Sequence, residues 1–184
     1  MGGPSAARPM VVLAWAERDG ELDVAVELIA RYLDELGEDL GFQASDASAE
    51  ALRRHYPAPG GVLLAWHATR PVGVVAVREL SAGRFELKRL WVDPDHRGRG
   101  VGRALVGAVL ERVDAAGGVE VVLDTLERLA PALALYRALG FDVIEPYTHN
   151  PLPGALFLGK QLRHVRSGLA GPQGSAPGAQ TLSP

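Results

Sequence analysis

Residues 86–106, ELKRLWVDPDHRGRGVGRALV, join an apolar-rich strand to the loop Arg97-Gly98-Arg99-Gly100-Val101-Gly102, which opens into an amphipathic helix. Bare amides feeding a helix N-terminus are a construction for holding phosphate, because amides without a helical acceptor and the positive end of the helix dipole point the same way. The glycines let backbone approach an anion closely, and Arg97, Arg99 and Arg103 add positive charge. A P-loop would need Gly-x-x-x-x-Gly-Lys followed by Ser or Thr, and the loop has neither the lysine nor the hydroxyl. A dinucleotide fingerprint would need Gly-x-Gly-x-x-Gly in a parallel βαβ unit; the spacing Gly98-x-Gly100-x-Gly102 differs, and the segments before it read as a meander.

The elements that must position this loop follow from periodicity. A first strand is expected over Pro9–Ala16. A helix carries Leu22, Val26, Ile29, Leu33 and Leu36 to a stop at Gly37, and a short helix covers Ser48–His55. Strands Val62–His67, Val72–Leu80 and Phe85–Val92 are separated by turn residues at Thr69-Arg70-Pro71 and Ser81-Ala82-Gly83. Gly100–Ala116 reads as a helix, Val119–Asp124 as a strand buried on both faces, Leu129–Leu139 as a helix, and Phe141–Ile144 and Ala155–Leu162 as closing strands. The order is β-α-α-β-β-β-α-β-α-β-β, an α/β (mixed α+β) class with about seven mainly antiparallel strands and helices on both faces. Residues 1–8 and 166–184, rich in Gly, Pro, Ala and Ser, are expected to be disordered, leaving one domain over 9–165.

Composition narrows the chemistry. The 184 residues carry 47% hydrophobic content, enough for one sizeable core. A net charge of −3 supplies no basic field for nucleic acid. The absence of cysteine excludes disulfides, thiolate metal sites and a cysteine-bound acyl intermediate. The five histidines show no metal-ligand spacing, so no metal is expected. No apolar run reaches the length of a membrane span and no leader pattern is visible, so a cytoplasmic protein is expected.

From its first arginine the loop reads Arg-x-x-Gly-x-Gly, which resembles the acyl-CoA pyrophosphate loop of the GNAT superfamily of N-acyltransferases. Leu135-Tyr136-Arg137-Ala138-Leu139-Gly140-Phe141 resembles that family's helix-to-strand segment. Asp39-Leu40-Gly41-Phe42-Gln43, Leu123-Asp124-Thr125-Leu126 and Pro146-Tyr147…Asn150-Pro151-Leu152-Pro153-Gly154 resemble a bacterial subgroup whose acceptors are mostly unassigned. The resemblance spans about Pro9–Leu162. It implies an enzyme that moves an acetyl group from acetyl-CoA to an amine by direct transfer.

The resemblance also implies roles. Tyr136 falls on the general acid that protonates the departing sulfur. Glu86 matches the general-base glutamate of histone-acetylating members and would act through water; strand alternation puts it on one face with Lys88, Leu90 and Val92. Leu90, Trp91 and Val92 would lie along pantetheine, with the Leu90 N–H as a candidate oxyanion donor. Arg97, Gly98, Arg99, Gly100, Val101, Gly102 and Arg103 would hold the pyrophosphate. Where many members place a CoA-contacting asparagine, this chain has Leu129, and Thr125 is the candidate substitute.

The resemblance implies an acceptor pocket formed from the first two helices, the early strands and the loop between the last two strands, which nominates Tyr32, Phe42, Gln43, Arg53, Arg54, His55, Tyr147, His149 and Asn150. Their polar and aromatic mixture suits a small amine better than a long peptide, and Lys88, Arg89 or Arg53 could bind a carboxylate, which suggests an amino-acid-like acceptor. A non-catalytic acyl-CoA-binding module and a protein-amine acetylase are the rival readings, and a homodimer is compatible with the sequence.

Overall fold

The structure is a computed structural model and describes residues 11–37 and 46–162. Seven strands form one sheet in the order β1-β2-β3-β4-β5-β7-β6. They are β1 (Val11–Trp15), β2 (Gly61–His67), β3 (Arg70–Ser81), β4 (Arg84–Val92), β5 (Glu120–Leu126), β6 (Asp142–Val143) and β7 (Ala155–Gln161). Helices α1 (Asp19–Leu36), α2 (Ala49–His55), α3 (Val101–Ala115) and α4 (Ala130–Ala138) join them, giving the mixed α/β architecture expected from the sequence. The expected disordered termini, with Pro9, Phe42 and Gln43, lie outside the described residues.

Two cores sandwich the sheet. On one face α1 lays Leu22, Ala25, Leu28 and Ile29 against Val62, Leu64, Val74, Ala76 and Trp91. On the other, α3 presents Val101, Leu105, Val109 and Val113, and α4 adds Leu133 and Tyr136. Local signals set the helix ends. Gly37, at φ 67°, stops α1 in the left-handed conformation that costs glycine no Cβ clash. Ser48 caps α2 by accepting the Ala51 amide at 3.1 Å.

The feature that positions the site is a split between β4 and β5. These two strands pair in parallel only over Arg84–Glu86 and Glu120–Val122. Beyond that, β4 stays on β3 while β5 stays on β7 through Leu126, so each keeps one partner as they diverge. A wedge opens between them.

Inside the wedge, β4 is bulged. Its register against β3 shifts between Lys88 and Trp91, and Arg89 sits at φ 60°. This corrects the alternation expected from sequence. Glu86 and Lys88 do share the α1 face, where they meet each other. The extra residue reverses the phase, however, so Leu90 and Val92 pack into the α3/α4 core while Trp91 turns toward α1.

Candidate functional site

The loop is built as a cradle. Asp93 accepts the Asp95 amide at 3.0 Å and a 3-10 turn, Pro94–His96, follows. Gly98 and Gly100 then take φ values of 70° and 87°, in open space where no side chain lies within 4 Å of a would-be Cβ. The Ala104 amide is the first in α3 to reach a helical acceptor, the Gly100 carbonyl at 3.0 Å. The amides of Val101, Gly102 and Arg103 before it have no helical acceptor, and no acidic residue occupies the first turn. Such an arrangement can receive an anion.

The cradle opens into a cleft of about 600 Å³ between β4, the loop and α4. Leu90, Val92, Leu135 and Ala138 give it apolar walls, suited to an aliphatic arm behind the anion site. An acyl-CoA therefore fits the residues present: amides for the pyrophosphate, apolar wall for pantetheine. Trp91, Gly98, Gly100, Val101, Gly102 and Arg103 line the same cleft.

Arg97 lines it too, but its guanidinium is engaged. It donates to the Val92 carbonyl at 2.9 Å and to Glu35 Oε2 at 2.6 Å. Glu35 also accepts the Trp91 indole N–H at 2.9 Å, which ties α1 to β4. The Arg97 hydrogen bond, against some burial, holds the Glu35 carboxyl below its ordinary pKa. Arg99 is exposed and not among the lining residues. Leu129 lines the cleft, whereas Thr125 lines a separate small cavity of about 40 Å³ in the β4–β5 wedge, together with Tyr32, Lys88, Asp124 and Asn150.

Tyr136 is 5% exposed and packs its ring edge against Phe141, with centroids 5.6 Å apart. Its hydroxyl has no hydrogen-bond partner among the described residues. Burial, reinforced by the charge of Asp124 and by Tyr32, raises its pKa and keeps the phenol protonated.

On the α1 side of the wedge is a polar pocket of about 190 Å³. Glu86 lies in its wall, 1% exposed. Its Oε2 takes the Arg78 guanidinium at 2.6 and 2.7 Å, and its Oε1 takes the Tyr147 hydroxyl at 3.0 Å and Lys88 Nζ at 3.4 Å. Burial and this bond to Glu86 push the Tyr147 phenol pKa well up. His55 and His149 also line this pocket.

Arg53 and Arg54 line none of these three spaces. Arg53 pairs with Asp19 and Arg54 lies 3.9 Å from Glu50, both on exposed helix surface. Phe42 and Gln43 fall outside the described residues.

Three charged residues at this pocket were not singled out from sequence. Asp46, buried to 4% exposure, accepts from Arg89 Nε at 2.7 Å and Tyr56 Oη at 2.9 Å, with His55 Nδ1 at 2.8 Å. Burial alone would raise its pKa, but the Arg89 charge and these hydrogen bonds outweigh that and hold it low. Arg78 reads as a surface position in a strand. Asp124 carried a usable signal, a carboxylate directly after the apolar run Val121-Val122-Leu123, and it lines both the wedge cavity and the polar pocket.

Among the described residues, no group of three or more His, Asp or Glu could hold a metal ion, and no helix is long and apolar enough to cross a membrane.

Comparison with known proteins converges on the same segment. Residues 26–141 match the Acetyltransferase (GNAT) family. An uncharacterized N-acetyltransferase of Schizosaccharomyces pombe is 39% identical over 142 residues, covering 75% of this chain and 86% of that protein. Human N-acetyltransferase 8B is 43% identical over 72 residues, 38% of this chain and only 32% of that protein. Among solved structures, an acetyltransferase from Streptococcus agalactiae superposes with a TM-score of 0.71 at 20% identity, over 83% of this chain and 98% of that one. A Salmonella typhimurium acetyltransferase solved with its cofactor acetyl-CoA gives 0.68 at 16% identity, over 85% and 96%. At such identities these two are likenesses of fold.

Proposed function

This chain belongs to the acetyltransferase (GNAT) family, which moves an acyl group from acyl-CoA to an amine, and we propose that its acceptor is a small molecule, acetylated by direct transfer within the β4–β5 wedge. The observation that carries this reading is that three neighbouring cavities share walls. The donor cleft and the wedge cavity share Tyr32, Leu36 and Leu129. The wedge cavity and the polar pocket share Lys88, Arg89 and Asp124. A thioester laid along Leu90 and Val92 from the loop side meets an amine arriving from the other. Acetyl-CoA supplies the activated acyl group.

The chain's own groups divide the work. Amides at the start of α3 bind the pyrophosphate, with Arg103 beside them. The Leu90 N–H faces the developing oxyanion, and the protonated Tyr136 phenol donates to the departing sulfur. Glu86 fixes Lys88 and Tyr147 around the acceptor. Tyr32, His149 and Asn150 complete the wall. The polar pocket's volume of about 190 Å³ matches an amino-acid-sized amine rather than a peptide segment.

Thiol release from acetyl-CoA tests the acceptor class, measured against the L-amino acids, amino sugars, polyamines and a lysine-containing peptide. A small amine that supports release, with the peptide inactive, is the expected outcome. Turnover with the peptide alone would make the protein a protein-amine acetylase. Tight CoA binding with no turnover across the panel would make it a binding module.

A further inference from the structure

We propose that Asp124 receives the acceptor nitrogen and takes its proton; the assignment rests on the transferase reading above. Asp124 lies two positions beyond Val122, the last β5 residue paired to β4, so its side chain lies where the strands have already separated. Of the three carboxylates at the polar pocket, Asp46, Glu86 and Asp124, it alone also lines the wedge cavity that adjoins the donor cleft.

The other two carboxylates have little room for an amine. Glu86 has Oε2 held by Arg78 at 2.6 and 2.7 Å and Oε1 held by the Tyr147 hydroxyl at 3.0 Å. Asp46 is occupied by Arg89, Tyr56 and His55. Asp124 is different. Its Oδ2 accepts from Asn150 Nδ2 at 2.8 Å. Lys88 Nζ lies 3.4 Å from Oδ1, well beyond the ~2.7–2.9 Å of a strong charge-assisted bond. A carboxylate offers about four acceptor positions, so Oδ1 has capacity for an N–H. Asn150 aims it: the Leu152 amide donates to Asn150 Oδ1 at 3.0 Å, which leaves the Asn150 NH2 facing Asp124.

The step balances. An alkylammonium bound at Asp124 gives it a proton, which passes to solvent, and becomes the neutral amine. The nitrogen attacks the thioester carbon, forming the C–N bond, and its surplus proton again leaves through Asp124. The C–S bond breaks and the sulfur takes the Tyr136 proton, which solvent restores. Each ammonium acetylated yields one amide, one thiol and one released proton.

The test compares wild type with Asp124→Asn, using the fastest amine of the panel for kinetics and n-butylamine for calorimetric binding to the CoA-saturated protein. The expected result is a rise in the amine KM of about tenfold to a hundredfold, the loss typical of a hydrogen bond to a charged group, with the acetyl-CoA KM within about twofold. Asp124→Glu recovers part of the loss, and n-butylamine binding disappears in Asp124→Asn. If that variant does not fold, Asn150→Ala takes its place, with the same rise in amine KM expected because the carboxylate loses its aim. Amine turnover that neither Asp124→Asn nor Asn150→Ala alters overturns the Asp124 assignment and leaves the transferase reading standing. No turnover with any amine, together with no n-butylamine binding to wild type, overturns both.

Discussion

Tyr136→Phe lowers kcat by about a hundredfold or more, the scale on which a positioned general acid acts, and leaves folding untouched. The substitution is clean because of how the residue is held. The ring is 5% exposed and packs on Phe141, contacts that phenylalanine keeps. The hydroxyl gives up no hydrogen bond to the protein, so the change in stability stays within about 0.5 kcal/mol. The acetyl-CoA KM stays within about twofold, because the lost interaction forms only as the sulfur departs. Steady-state kinetics at saturating acetyl-CoA, with a melting curve beside them, checks all three expectations. A drop in kcat smaller than threefold would reduce Tyr136 to a packing residue.

The second large effect is on stability. Arg89→Met strands the buried Asp46 carboxylate and costs about 3–5 kcal/mol, the usual result of removing one partner from a buried ion pair. That is a large share of a typical total of about 5–15 kcal/mol. The expected readout is a lower urea midpoint with an unchanged slope.

The pH dependence follows from the sign of the Asp46 shift. Its folded pKa is lowered, so its contribution is fully present above the unfolded aspartate value of about 3.9 and is lost as pH falls through the folded value. In Arg89→Met burial is no longer offset by the Arg89 charge and raises the Asp46 pKa above the unfolded value. The gap between variant and wild type is therefore widest at neutral pH, begins to narrow already above about pH 4 as the stranded carboxylate protonates, and goes on narrowing as pH falls through the wild-type folded value. A gap that persists unchanged at pH 3 would mean that Arg89 stabilises the fold through packing alone.

These two residues also mark what the sequence made legible. The strand and helix order was readable because it rests on local signals, periodicity of 2 or 3.6 and glycine at the turns and helix ends, and the glycine spacing marked the loop that walls the cleft. The bulge at Arg89 was not readable. Lys88-Arg89-Leu90 contains no glycine or other mark of a left-handed residue, and the partner that Arg89 meets in the interior is Asp46, 43 positions earlier. The missed bulge reversed the expected facing of Leu90 and Val92.

Ion pairing across the fold likewise decided what the basic residues do. Arg97 was expected to add charge to the loop; it is tied to Glu35 of α1, 62 positions away. Arg53, expected in the acceptor pocket, spends its charge on Asp19 at the surface. Such pairings depend on which helix faces come together, and no local pattern encodes that. Asp124 lay between these cases. Its polarity after an apolar run was visible, but its place beside the wedge is set by where β4 departs from β5.

If donor and acceptor meet in the β4–β5 wedge, a crystal structure with acetyl-CoA shows the pyrophosphate on the amides of residues 100–103, the thioester oxygen facing the Leu90 N–H, and the sulfur within hydrogen-bond reach of the Tyr136 hydroxyl. A pyrophosphate bound away from the α3 N-terminus, or a thioester pointing out of the wedge, would contradict it.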